Sequence, residues 1–229
     1  TETFDDGCSR SRALNPDGTR VVTILGADGT VLRRLRVMPD GQEYVLVDDT
    51  KQEREIVAKD LPTVVRSPLP SSVEGEDNLR AALLAEAAAR RGDAFSLRQV
   101  RDIRKVRELA PEIELDAVRF ASGSAAIEPE QARSLARIGN TLREIIAEDP
   151  RTVLLVEGHT DAVGDATYNL ALSDRRAETV ALALTEYFGV AEENMIVQGY
   201  GESHLKVPTL TDEVANRRAV VRNITELLR

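Results

Sequence analysis

Asp161, Asn169 and Arg176 are the residues of this 229-residue chain whose types and spacing could do chemistry together. Asp161 follows an apolar run at 153–156 and the segment Gly158-His159-Thr160, where side chains leave a strand and the next loop begins. Ligands of such sheets favour that edge. Asn169 and Arg176 stand seven residues apart, two helical turns, so one helix face carries both. The loop 162–166, with Gly164 allowing a tight reversal, lets strand end and helix face converge. A carboxylate pairs with an ammonium, a guanidinium grips a carboxylate through two parallel hydrogen bonds, and an amide donates to one end and accepts from the other. The set suits a small zwitterion. Each residue also has a local reading: Asp161 caps the turn that follows it, and Arg176 makes a surface ion pair with Asp174 or Glu178. Residue chemistry alone leaves the two readings even.

The remaining inventory argues against catalysis. Cys8 is the only cysteine and reads as incidental, so neither an intramolecular disulfide nor thiolate-bound zinc is expected. The two histidines, His159 and His204, would both have to converge on a carboxylate to make a metal site. Ser173 has no histidine at triad spacing, and no carboxylate pair suits glycoside hydrolysis. Gly199-Tyr200-Gly201 follows a strand but opens no helix, which reads as a bulge or tight turn rather than a phosphate loop. No enzyme activity, cofactor or metal is expected. A net charge of −9 argues against nucleic acid, whose binding depends on neutralising phosphates. No apolar run reaches the roughly 18 residues of a membrane span. No signal peptide is read, and the polar Thr-Glu-Thr-Phe-Asp-Asp-Gly before Cys8 is the opposite of the apolar segment a lipid anchor requires.

Several elements must position these residues. Residues 1–16 read as a disordered polar lead-in. Asp17-Gly18, Asp28-Gly29 and Asp40-Gly41 alternate with β-branched and aliphatic runs at 20–25, 30–38 and 43–47, which predicts type I′ hairpins and a small antiparallel meander over 17–61. A short helix is expected at 51–61. Residues 62–110 read as a linker with helices: Pro62, Pro68 and Pro70, an Ala- and Leu-rich helix at 79–91 ending at Gly92, and a basic helix at 97–109 capped by Ser96. The arginines of that last helix read as a solvated face. From 111 to 229 the order is strand, helix from Pro129, apolar strand, helix from about Thr167 to Gly189, then two strands. This is a βαβαββ two-layer sandwich with both helices on one side of a mixed sheet, and the class is α+β.

The motifs over 115–224 closely resemble the OmpA-like (OmpA/MotB/Pal) family. They are Phe120-Ala121-Ser122-Gly123-Ser124-Ala125, Gly158-His159-Thr160-Asp161, Tyr168-Asn169, Leu172-Ser173-Asp174-Arg175-Arg176-Ala177, Gly199-Tyr200-Gly201-Glu202-Ser203 and Asn216-Arg217-Arg218. The resemblance implies non-catalytic binding of peptidoglycan, through the meso-diaminopimelate of its stem peptide, by a tether in the periplasm or outer membrane. It places the principal ligands on Asp161 and Arg176, with Asn169 and Thr160 beside them and Phe120 in the loop after the first strand. Arg217 or Arg218 lines the site or braces Asp161, with Arg217 preferred. Ala121 departs from the family's frequent Asp, so any contact by that side chain is missing. The N-terminal region is read as a spacer or as a dock for an envelope protein. The alternative is a protein–protein module with the OmpA-like fold and weak wall binding.

Overall fold

The computed structural model describes every residue except 51, 52, 54, 58, 65, 66, 74, 86, 88–93 and 229. In its N-terminal half, β1 (Glu2–Thr3), β2 (Ser9–Leu14), β3 (Arg20–Leu25), β4 (Val31–Val37) and β5 (Glu43–Asp48) form an antiparallel sheet, each strand beside its sequence neighbour. Four turns of one design join them, at 4–8, 15–19, 26–30 and 38–42. In each, the first residue's amide donates to the last residue's carbonyl (2.8–2.9 Å) and the glycine amide donates back to the first carbonyl (2.9–3.0 Å). The aspartate carboxylate accepts the amide just after the glycine (2.8–3.0 Å). Only the glycines have positive φ, 81° to 88°, so these are three-residue loops closed by a glycine bulge, not the expected type I′ turns. Asp6-Gly7 is the fourth, unread copy. Residues 1–16 are therefore not a disordered lead-in: they supply two strands, polar because their side chains lie at the sheet's wet edge.

The linker is drawn into the C-terminal half. β6 (Leu69–Pro70) pairs with that half's sheet, and α1 (Glu76–Leu83), α2 (Leu97–Asp102) and α3 (Arg104–Arg107) pack on its faces. The expected basic helix breaks at Ile103, whose backbone is extended (φ −102°, ψ 102°). Ser96 caps α2 as read, in a capping box with Gln99. The end of the helix expected at 79–91 lies outside the described residues, and the described residues between 53 and 61 are not helical.

Next come β7 (Ile113–Glu114), α4 (Pro129–Ser134), α5 (Ala136–Glu148), β8 (Leu154–Gly158), α6 (Ala166–Phe188), β9 (Met195–Gly199) and β10 (Ala219–Asn223). The βαβαββ order is as read, in a mixed sheet ordered β6-β7-β10-β8-β9. Its parallel pairs are β6 with β7 and β8 with β9. α4, α5 and α6 cover one face, burying Leu142, Leu154, Val156, Val180, Leu184 and Val221. The opposite face is dry as well. Val153, Leu155, Ile196 and Ile224 pack there against Leu97, Val100, Val106 and Leu109 from the linker and Leu46 and Val47 from β5. The unbroken apolar run of β8 is explained by this double cover. Arg34 of β4 donates to the carbonyls of Glu193 and Met195 (3.1 and 3.2 Å), and Arg36 to the side chain of Asn194 (3.0 Å), so the N-terminal sheet is tied to edge strand β9.

Candidate functional site

Asp165 starts α6 by accepting the amides of Thr167 and Tyr168 (2.9 and 3.0 Å), and Gly189 ends it in the left-handed region (φ 69°). The helix lies on β8 and β9 at close approach. A Cβ on Gly158 would stand 2.0 Å from the Ser173 carbonyl oxygen, and one on Gly199 2.3 Å from the Asp174 amide nitrogen. Two glycines thus set where Asn169 and Arg176 sit relative to the end of β8.

Arg176 is wholly buried. Its guanidinium donates from Nε to the Ser124 carbonyl (2.9 Å), from Nη1 to the His159 carbonyl (2.9 Å) and from Nη2 to the Ala121 carbonyl (3.1 Å), and its Cζ lies 4.9 Å from the Phe120 ring centre. All three acceptors are neutral, and no ion pair of Arg176 occurs among the described residues. Burial pulls its pKa down to about 10; Asp161 opposes the fall and Arg217 adds to it. The expected surface pair with Asp174 or Glu178 is not made, and Asp174 instead accepts the Gly199 amide (2.6 Å).

Asp161 accepts from Nη1 of Arg217 at 2.7 Å and, more weakly, from the Val163 amide at 3.3 Å, so it both faces the site and caps its own turn. Arg217 also donates to Asp212 and, through Nε, to the Phe120 carbonyl (3.1 Å). Burial lowers the Arg217 pKa, but Asp161 and Asp212 outweigh it and hold the group above its ordinary value. Asn169 spends its amide hydrogens on the Val163 carbonyl (3.1 Å) and on Glu202 (2.7 Å), which leaves its oxygen as the atom to offer. The Thr160 amide donates to the Gly201 carbonyl (3.0 Å), while its buried hydroxyl has no partner. The structure thus gathers Phe120, Thr160, Asp161, Asn169, Arg176 and Arg217 at one place. Arg218, one residue on, turns to the opposite face and donates to the His204 carbonyl (3.2 Å).

Residues 119–219 match the model of the OmpA family. This stretch is an OmpA-family domain. Outer membrane porin F of Pseudomonas aeruginosa is 40% identical over 91 residues, covering 40% of this chain and 25% of the porin. The probable lipoprotein YiaD of Escherichia coli is 33% identical over 107 residues, covering 47% of this chain and 45% of the lipoprotein. The chain therefore spans less than half the length of these curated relatives. The peptidoglycan-associated lipoprotein of Burkholderia pseudomallei, at 27% identity, aligns with 46% of this chain and 86% of its own, with a TM-score of 0.39.

Behind the OmpA-family domain's candidate site lies a buried charged cluster that sequence reasoning missed. Glu157 accepts from Nε of Arg222 (2.6 Å) and stands 3.6 Å from Arg107. Arg107 comes from α3, outside the matched stretch. It lies 3.8 Å from the Tyr200 ring centre and 3.0 Å from Nε2 of His204. His159 and His204 do approach, with ring centres 6.4 Å apart, but a guanidinium lies against them. Among the described residues no group of three or more His, Cys, Asp or Glu could hold a metal ion. Glu157 suffers from burial, yet Arg222, His159 and Arg107 hold its pKa well below the carboxylate range. His159 is pushed down to about 4, chiefly by burial, against the pull of Glu157 and with the charge of Arg218 adding. The available signal was a Glu and a His at alternate positions at the end of an otherwise apolar strand.

Proposed function

We propose that this protein is a non-catalytic tether that binds peptidoglycan through the diaminopimelate of the stem peptide and holds the wall to the outer membrane or an envelope complex. The observation that carries the reading is Arg176. A buried guanidinium bonded only to neutral carbonyls has no carboxylate in contact with it, and a ligand carboxylate supplies one. Asp161 and the free oxygen of Asn169 accept the ammonium at the other end. The domain family supports the ligand, and the outer-membrane name of the porin supports a periplasmic, envelope-associated setting. Among the described residues no helix is long and apolar enough to cross a membrane. A passive role suits Ser173, whose hydroxyl donates to the Leu170 carbonyl and accepts the Gly201 amide, with no base beside it.

The test is co-sedimentation with purified sacculi. Asp161→Asn keeps the volume and an acceptor for the Val163 amide but removes the charge. Losing one partner of a charge pair costs on the order of 2–5 kcal/mol, so binding should weaken roughly thirtyfold or more, while Arg217 keeps Asp212 and the variant stays folded. Undiminished binding by the folded variant would overturn the assignment. The alternative, an envelope protein–protein module, would use the N-terminal sheet, where Val45 is half exposed.

A further inference from the structure

Arg107 bridges two segments of the OmpA-family domain that carry the candidate site, although it comes from a linker helix outside the matched stretch. Its guanidinium lies against Glu157 of β8 on one side and against Tyr200 and His204, after β9, on the other. The Tyr200 hydroxyl donates to the Arg101 carbonyl (3.1 Å), as does Nη1 of Arg107 (2.8 Å), so the Tyr200 segment and Arg107 itself are pinned to α2 as well. On the opposite face of the sheet the same segments supply the site's supports. Two residues after Glu157, the His159 carbonyl receives Arg176. Between Tyr200 and His204, the Gly201 carbonyl receives the Thr160 amide and the Glu202 carboxylate receives Asn169.

We infer that Arg107 is a positioning residue for the wall-peptide site: acting through the sheet, it holds the end of β8 and the 200–204 turn in the register that aims Arg176 and Asn169. The inference rests on the reading of that site as the peptide-binding one. Arg107 adds to the neutralisation of Glu157, but Glu157 already has Arg222 at closer range, so charge balance alone does not call for it. What Arg107 adds is a rigid planar group clamped between two strands' ends, and a coupling of this kind changes affinity without touching the ligand.

The experiment compares Arg107→Met with Val100→Ala in the full-length chain. Val100 lies in the same helical layer and the same apolar core, so it reports what loss of packing alone does. A soluble muropeptide carrying diaminopimelate is titrated into each, and exchange of the Thr160 amide is followed by NMR. Arg107→Met should bind about tenfold more weakly and exchange Thr160 faster, while Val100→Ala leaves both near wild type. Wild-type affinity in Arg107→Met, or an equal loss in Val100→Ala, would overturn the positioning role. If the wild-type chain binds no muropeptide, the proposed function fails instead. The positioning role is then decided by the Thr160 amide alone: faster exchange confined to Arg107→Met supports it, and unchanged exchange rejects it.

Discussion

His159 sits uncharged between Glu157 and the arginines of the buried cluster, its Nε2 3.4 Å from the Glu157 carboxylate. Its pKa falls from an ordinary 6.5 to about 4 in the fold. Between those values the unfolded chain takes up a proton that the folded chain refuses, so stability is full above pH 6.5 and is lost as pH falls toward 4. For so deeply buried a group the loss is on the order of 1–3 kcal/mol. His159→Gln should flatten that acid limb, read as urea midpoints at pH 7 and pH 4.5; an equal acid loss in the variant would place the effect elsewhere. At this scale the sequence was legible where spacing reports a shared face: Asn169 and Arg176 share the helix, and Asp161 marks a strand end. It was illegible where charge is buried. Arg107 has the same type and spacing as the solvated arginines of its helix, and only the fold distinguishes it from Arg104, which pairs with Glu108 at the surface.

Among the elements, α6 depends on two positions that carry no side chain. Gly158→Ala would drive a methyl into the Ser173 carbonyl oxygen, and because that oxygen is backbone the whole helix must lift. Overpacking of this kind costs about 1–3 kcal/mol. Since α6 carries both Asn169 and Arg176, sacculus binding should fall together with the melting temperature. A Gly158→Ala protein with unchanged stability would show that the approach is looser than it stands here. Helix starts and stops were readable from Pro129, Ser96 and Gly189 because caps act locally. The break at Ile103 was not, since the apolar spacing continues through it. The hairpins were legible from Asp-Gly, although their class was not: the residues flanking each pair decide between a two-residue and a three-residue loop, and Asp6-Gly7 was hidden among polar neighbours.

For the molecule as a whole, the OmpA-family stretch is not self-contained in this chain. A chain shortened to begin at Pro111 loses Leu97, Val100, Val106 and Leu109 and lays bare Val153, Leu155, Ile196 and Ile224. It also loses Leu79 and Leu83 from the helical face. It should melt earlier than the full chain and bind a hydrophobic dye such as ANS; a soluble fragment with the full chain's melting temperature and no dye binding would contradict the shared core. The sequence could not announce this layer, because a linker rich in Pro, Ala and Arg reads alike whether it spans solvent or lines a sheet.

The pairing order of the two sheets carries a consequence in time. Strands β2 to β5 meet only partners one turn away, so each hairpin can close within microseconds. The C-terminal sheet must bring Val221 to Ile113 and Leu69 beside Ile113, closures across long stretches of chain, and non-local pairing of this sort is slow. Refolding should therefore gain strand signal in two phases, an early one from the hairpins and a later one, within reach of stopped flow, as the C-terminal sheet closes. In the interval the underside of the first sheet waits, with Leu46 and Val47 bare, for the second to arrive, which makes nascent chains most prone to clump just before β10 is made.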